Sequence, residues 1–216
     1  MSTYADDSPP LPRGPHKLSR EEVERHQRDR LLYATTKVVA ERGYARTVVA
    51  DVIADAGISR ATFYALFSNL QECFQAAYKQ SAELVASLME AELRNVRADK
   101  NDPLTRLDRV LGVYLRLLKN APALARVFLV EVYAAGPALI EQRRASLERF
   151  VDIVVETHRG EKGLLGSQAG QRFAAQALVG AVSSLVTNHI AADDFDGLLD
   201  LQKPLMKLAA QITGKS

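Results

Sequence analysis

Ser59, Arg60, Thr62 and Tyr64 lie on one short stretch of the chain. They bring together two aliphatic hydroxyls, a guanidinium and a phenol. All four groups reach phosphate oxygens, and arginine also pairs bidentately with O6 and N7 of guanine. The segment that carries them, Thr47 to Phe67 (TVVADVIADAGISRATFYALF), reads as two short helices across a tight turn. Val48, Val49, Val52, Ile53 and Ala56 supply the apolar side of the first helix. Gly57 ends it, because glycine reaches positive φ cheaply. Ser59 is placed to cap the second helix. This arrangement suits a recognition helix laid in the major groove of duplex DNA.

The elements around that motif read as helices throughout, with no convincing strand. Residues 1–18 read as a disordered tail broken by Pro9, Pro10, Pro12, Gly14 and Pro15. Arg13, His16 and Lys17 at its end serve either as an arm along a DNA groove or as a solvated linker. Ser19 and Glu22 form a capping-box pattern at the start of a helix that runs to about Arg42 and stops at Gly43. Asn69 opens a long fourth helix through Leu93. Pro103, Pro122 and Pro137 mark the starts of three more, with Gly136 closing the middle one and the last reaching about His158. Gly160, Gly163 and Gly166 mark a loop. Two final helices span about 167–191 and 195–212, the second with a kink expected at Pro204. About nine helices and no sheet define an all-α fold.

Composition narrows the function classes. The chain of 216 residues is 47% hydrophobic and 25% charged, with a net charge of +2. Residues 11–70 hold ten Lys/Arg against seven Asp/Glu, so the modest basic excess lies over the helix-turn-helix pattern. The single cysteine, Cys73, excludes an internal disulfide, fits a reducing cytoplasm and reads as a small packed residue. The first ten residues lack the character of a secretory signal. No run of about 20 uninterrupted apolar residues occurs, so no membrane span is expected. The four histidines, at 16, 26, 158 and 189, lack metal-ligand spacing. No phosphate-binding glycine loop or nucleophile elbow is present. An enzyme is therefore not expected, nor a metal or cofactor.

At residues 30–74 the chain resembles the TetR family of bacterial transcriptional regulators. The resemblance is carried in order by Arg30-Leu31-Leu32 with Ala34, then by Arg42-Gly43-Tyr44, Thr47 and Ala56-Gly57-Ile58-Ser59. Thr62-Phe63-Tyr64 and Phe67 complete it. It implies a three-helix DNA-binding domain over 19–68 and a larger helical domain over 69–216 for ligand binding and dimerisation. It also implies DNA contacts by Thr47, Ser59, Arg60, Ala61, Thr62 and Tyr64, with the Thr47 and Tyr64 hydroxyls directed at phosphates. Phe63 and Phe67 are assigned to the core. Two positions depart from the family pattern: Leu70 stands where a phosphate-gripping lysine is usual, and Ile53 stands where a small alanine is usual. The missing lysine lowers the salt dependence of DNA binding by roughly one counterion.

For residues 75–216 the resemblance implies a small-molecule effector and a dimer. Tyr78, Tyr114, Glu131, Tyr133, His158 and Asn188 stand as candidate polar contacts to a largely apolar ligand. The last two helices carry small residues (Ala174, Ala177, Gly180, Ala181, Ser184) that let helices of two subunits approach, as a homodimer interface requires. The expected function is a ligand-responsive repressor that binds a palindromic operator. A helical protein-interaction adaptor with a degenerate helix-turn-helix is the alternative, and Leu70 is its only support.

Overall fold

The computed structural model describes residues 19–98, 102–159 and 168–212. The expectations for residues 1–18, including Arg13, His16 and Lys17, and for the loop glycines 160, 163 and 166 lie outside the described residues. Nine α-helices and no strand occur among the described residues. They are α1 (Arg20–Arg42), α2 (Val49–Ala56), α3 (Arg60–Leu66), α4 (Leu70–Ala98), α5 (Pro103–Asn120), α6 (Pro122–Leu129), α7 (Pro137–Thr157), α8 (Gln168–Ala191) and α9 (Gln202–Ile212).

The starts follow the capping chemistry in the sequence. Ser19 accepts the Glu22 amide while the Glu22 carboxylate accepts the Ser19 amide, which completes the capping box. Asp102 accepts the amides of Leu104 and Thr105 at the start of α5. Proline occupies the first position of α5, α6 and α7, where no helical N–H bond is lost.

Two elements differ from the sequence expectation. Helix α6 ends at Leu129, and residues Glu131–Ala135 form a separate 3-10 helix instead of its continuation to Gly136. The expected final helix also divides, into a 3-10 helix Gly197–Leu201 and α9. Pro204 consequently falls in the first turn of α9, where its missing N–H is tolerated, and not at a mid-helix kink.

Two hydrophobic cores result. Leu31, Leu32, Val52, Ala56, Phe63, Phe67, Cys73 and Ala77 close the small N-terminal core over α1–α3. The larger core includes Phe74, Tyr78, Leu115, Phe128, Leu139, Phe150 and Ile190, contributed by α4 through α8. Helix α4 enters both. Ile53 and Leu70, the two departures from the family pattern, lie half-buried against the small core, which gives each a packing role. Cys73 is fully buried beside the Thr35 hydroxyl, and burial pushes its thiol up to about 11.

Helix α8 contains a window, Ala169–Ala191, long and apolar enough by length and composition to cross a membrane. Only 28% of that window is buried within the chain. Phe173, Ala177, Gly180, Ser184 and Asn188 are exposed at helical spacing along it.

The turn between α2 and α3 rests on Gly57, at φ 61° and ψ 39°. Arg30 donates to the Ala56 carbonyl at this helix end, and a Cβ at Gly57 would stand 3.0 Å from Arg30 Nη2. Gly57→Ala is expected to cost about 1–2 kcal/mol for the left-handed backbone alone, with a further loss if Arg30 is displaced. Urea denaturation measures it.

Candidate nucleic-acid interface and ligand cavity

Helix α3 is short and has two distinct sides. Phe63 is fully buried and Phe67, just past its end, is nearly so. Their rings lie 5.9 Å apart. The opposite side exposes Arg60, Ala61 and Tyr64, with Tyr64 47% exposed. The Arg60 guanidinium lies over the Tyr64 ring at 5.7 Å, which restrains both side chains. The Ser59 hydroxyl caps α3 by accepting the Thr62 amide and is 2.9 Å from the Thr62 hydroxyl. Five of the six expected DNA contacts, residues 59–62 and Tyr64, therefore lie together on or beside the outer side of α3.

Thr47 differs. It is buried, and its hydroxyl donates to the Gly43 carbonyl at 2.9 Å, so that donor is directed inward and not at a phosphate. The exposed residue at the start of α2 is Val48, whose amide donates to Asp51 Oδ2. The pairs Lys37–Asp55 (2.6 Å) and Arg42–Asp51 (2.7 Å) fasten α2 to α1. Arg28, whose guanidinium stacks 4.8 Å over Phe67, adds an exposed cation near the end of α3 that the sequence reading did not single out.

Within the larger core, α4, α5, α7, α8 and α9 enclose a cavity with about 580 Å³ of open space, mouth included. Most of its wall is aliphatic, such as Leu107 and Leu111 from α5, Leu147 and Val154 from α7, and Val179 from α8. Its polar lining consists of Tyr114, Arg143 and Ser183. Burial pushes the Tyr114 phenol up to about 12, against the opposing pull of Arg143, so it stays a neutral donor.

Of the six polar contacts expected from sequence, Tyr114 alone lines this cavity. Tyr78 is fully buried nearby, stacked on Phe128 at 5.4 Å with its hydroxyl 3.5 Å from Ser146. Burial raises its pKa. Tyr133 is 56% exposed and Asn188 faces outward on α8. His158 follows the end of α7, with Nδ1 2.8 Å from the Thr157 hydroxyl.

Glu131 is also withdrawn from the cavity. Its carboxylate accepts the Tyr44 amide at 2.7 Å and lies against Gly43, so it joins the 3-10 helix 131–135 to the turn that follows α1. Gln71, in the first turn of α4, donates to the Ala135 carbonyl at 3.3 Å and adds a second tie. The Tyr44 ring completes the junction against Phe74 at 4.8 Å.

The sequence reading assigned no role to Arg143 or Ser183. The signal was present: Leu139, Arg143, Leu147, Phe150 and Val154 recur at helical spacing, so Arg143 occupies a core position of α7. Among the described residues no group of three or more His, Cys, Asp or Glu is placed to hold a metal ion.

Comparison with known proteins follows the same division. Residues 31–77 match the family described as bacterial regulatory proteins, tetR family. A fatty acid metabolism regulator protein from Bacillus subtilis (strain 168) is 22% identical over 180 residues, spanning 82% of this chain and 91% of its own. The fatty acid degradation regulator FadR from Bacillus halodurans superposes with a TM-score of 0.73 at 20% identity, over 85% of this chain and 94% of its own. FadR from Bacillus subtilis, solved in complex with stearoyl-CoA, gives 0.72 at 20% identity, over 87% and 98%.

Replacing Glu131 by alanine leaves the Tyr44 amide without its acceptor. A loss of about 1–3 kcal/mol in stability is expected, read by thermal or urea unfolding.

Proposed function

From the match of residues 31–77 to the bacterial regulatory proteins, tetR family, we propose that the chain is a member of that family and acts as a homodimeric repressor. In this reading it binds a palindromic operator and is released by a small, largely apolar effector. The observation that carries the reading is the division of α3: Phe63 is sealed into the core while Arg60, Ala61 and Tyr64 stand free on the outer side. A helix so anchored presents the same donors to a groove each time it docks. Arg60 then reads a base edge, Tyr64 and Ser59 hold phosphates, and Ala61 and Thr62 set how closely the helix approaches. Arg28 joins them as a phosphate contact.

Support for the dimer comes from α8 and α9. Gly180 has nothing within 4 Å of where its Cβ would be, and it lies on the exposed stripe between Ala177 and Ser184. Phe173 (71% exposed), Leu185 and, on α9, Leu208 extend the apolar surface. A second copy packed on this surface makes a four-helix interface and sets two α3 helices one DNA turn apart, about 34–36 Å.

The effector site in this reading is the cavity bounded by Tyr114 and Arg143. Likeness in fold to a regulator solved with stearoyl-CoA supports an acyl-bearing ligand. Occupying the cavity shifts α4 and α6, which both reach the DNA-binding domain, and moves the two α3 helices out of register with the groove. A coupling of 1–3 kcal/mol lowers operator affinity about 5- to 150-fold. The chain works in the bacterial cytoplasm, where its operator is.

Sequencing duplexes selected by the protein from a random library tests the reading; an enriched palindrome is expected, and none would contradict it. On that palindrome Arg60→Ala should cost about 1–3 kcal/mol and relax specificity at one position per half-site. Tyr64→Phe should cost about 1 kcal/mol without changing the preferred sequence. Gly180→Arg should leave the fold intact but sediment as a monomer with sharply reduced operator affinity.

A further inference from the structure

Arg143 is only 3% exposed and lines the cavity. Its Nη2 donates to Ser183 Oγ at 2.7 Å, and its guanidinium lies 5.1 Å from the centre of the Phe128 ring. Nε and Nη1 are buried without a hydrogen-bond partner. Among the described residues no carboxylate forms an ion pair with it. A guanidinium is a permanent cation, and a buried charge left without a counter-ion is costly. The phenol of Tyr114 and the hydroxyl of Ser183 line the same cavity, and neither supplies negative charge.

The remainder of the cavity wall is aliphatic or aromatic apart from Tyr114 and Ser183. Arg143 bonds to Ser183, while Arg172 on α8 pairs with Glu148 and Asp152 on α7, so the two helices run antiparallel. Val154, at the other end of the α7 stripe, lies eleven residues or about 16 Å along the helix axis from Arg143. That is the reach of an acyl chain of medium length. One end is therefore cationic with the Ser183 hydroxyl beside it, and the lining that leads away along α7 is apolar.

The geometry points to a free carboxylic acid as the effector, its carboxylate held by Arg143 and its alkyl chain running along α7 towards Val154. This rests on the cavity being the effector site. A carboxylate supplies the charge that Arg143 lacks and accepts its N–H groups in the planar geometry that guanidinium favours. A coenzyme A thioester presents a neutral carbonyl at the same point, and its phosphates stand a whole pantetheine arm away. The chain thus departs from the ligand found in its fold neighbour at the headgroup, not at the tail.

Titration calorimetry of the full chain with decanoate, methyl decanoate and decanoyl-CoA tests this, using wild type, Arg143→Met, Arg143→Lys and Val179→Trp. Wild type is expected to bind decanoate at least tenfold more tightly than either the ester or the thioester. Arg143→Met should lose that preference while binding methyl decanoate at least as well as wild type, and its Tm without ligand should not fall. Arg143→Lys should keep part of the preference. Equal affinity of wild type for acid and ester, a preference retained by Arg143→Met, or tightest binding of decanoyl-CoA would overturn the headgroup assignment. So would a fall in Tm with equal weakening towards all three ligands, which marks a purely structural arginine. Val179→Trp fills the cavity and tests the reading beneath. If it abolishes binding while acid and ester stay equal, the headgroup assignment alone fails. If it leaves binding unchanged, or if none of the three ligands binds wild type, the cavity reading fails and the assignment with it.

Discussion

The structure depends on α4 belonging to two cores at once. Cys73 and Ala77 are buried in the small core beneath the helix-turn-helix, while their immediate neighbours Phe74 and Tyr78 are buried in the large one. Successive residues on one rigid helix thus point into different domains. Further along the same helix, Met89 lines the cavity. Close-packed interiors do not deform continuously, so a displacement of α4 at the cavity carries the small core with it. A helix of 29 residues spans about 43 Å, long enough to join the cavity to the helix-turn-helix without any intermediary.

The connection is reinforced by a second route. Tyr78, Phe128, Phe150 and Tyr114 form a chain of ring contacts with centroid separations of 5.4, 6.0 and 6.0 Å. Arg143 lies over Phe128 in that chain. Phe128 belongs to α6, and the 3-10 helix that follows α6 carries Glu131 to the Tyr44 amide. A ligand that pulls Arg143 away from Phe128 therefore acts on α6 as well as on α4. Both routes meet the DNA-binding domain at its inner side, through Phe74 and Tyr44, and leave the outer side of α3 free for the groove.

Much of this was legible in the sequence, where the signal is local. Capping residues and helix-starting prolines marked the beginnings of α1, α5, α6 and α7. Gly57 with Ser59 fixed the turn between α2 and α3. Outward-facing residues on α3 could be named because Phe63 and Phe67 had to face inward. What the sequence did not carry was the long-range geometry. Glu131 reads as a ligand contact because a carboxylate among apolar residues looks like a binding group, and its partner in the structure, a backbone amide 87 positions earlier, leaves no local trace. Thr47 was expected to face a phosphate, but the Gly43 carbonyl four residues earlier takes its donor. An apolar stripe draws attention to its apolar members, although an arginine in the middle of it, as Arg143 is in α7, is the more informative residue. The departure at Leu70 was read as a lost contact and, in part, as support for an adaptor. Its place against the small core gives the leucine a packing role in an intact DNA-binding domain.

In the proposed dimer, occupancy of the cavity and the spacing of the two α3 helices form one equilibrium. A pulsed electron-resonance distance between spin labels on Ala65→Cys, an exposed site on α3, measures that spacing directly in the dimer. The native Cys73 is buried with its thiol pushed up to about 11, so the label goes to the introduced cysteine. A narrow distance distribution is expected on operator DNA, and a displaced one when decanoate releases the protein. An effector that abolishes DNA binding while the α3–α3 distance in the free dimer stays unchanged would contradict it.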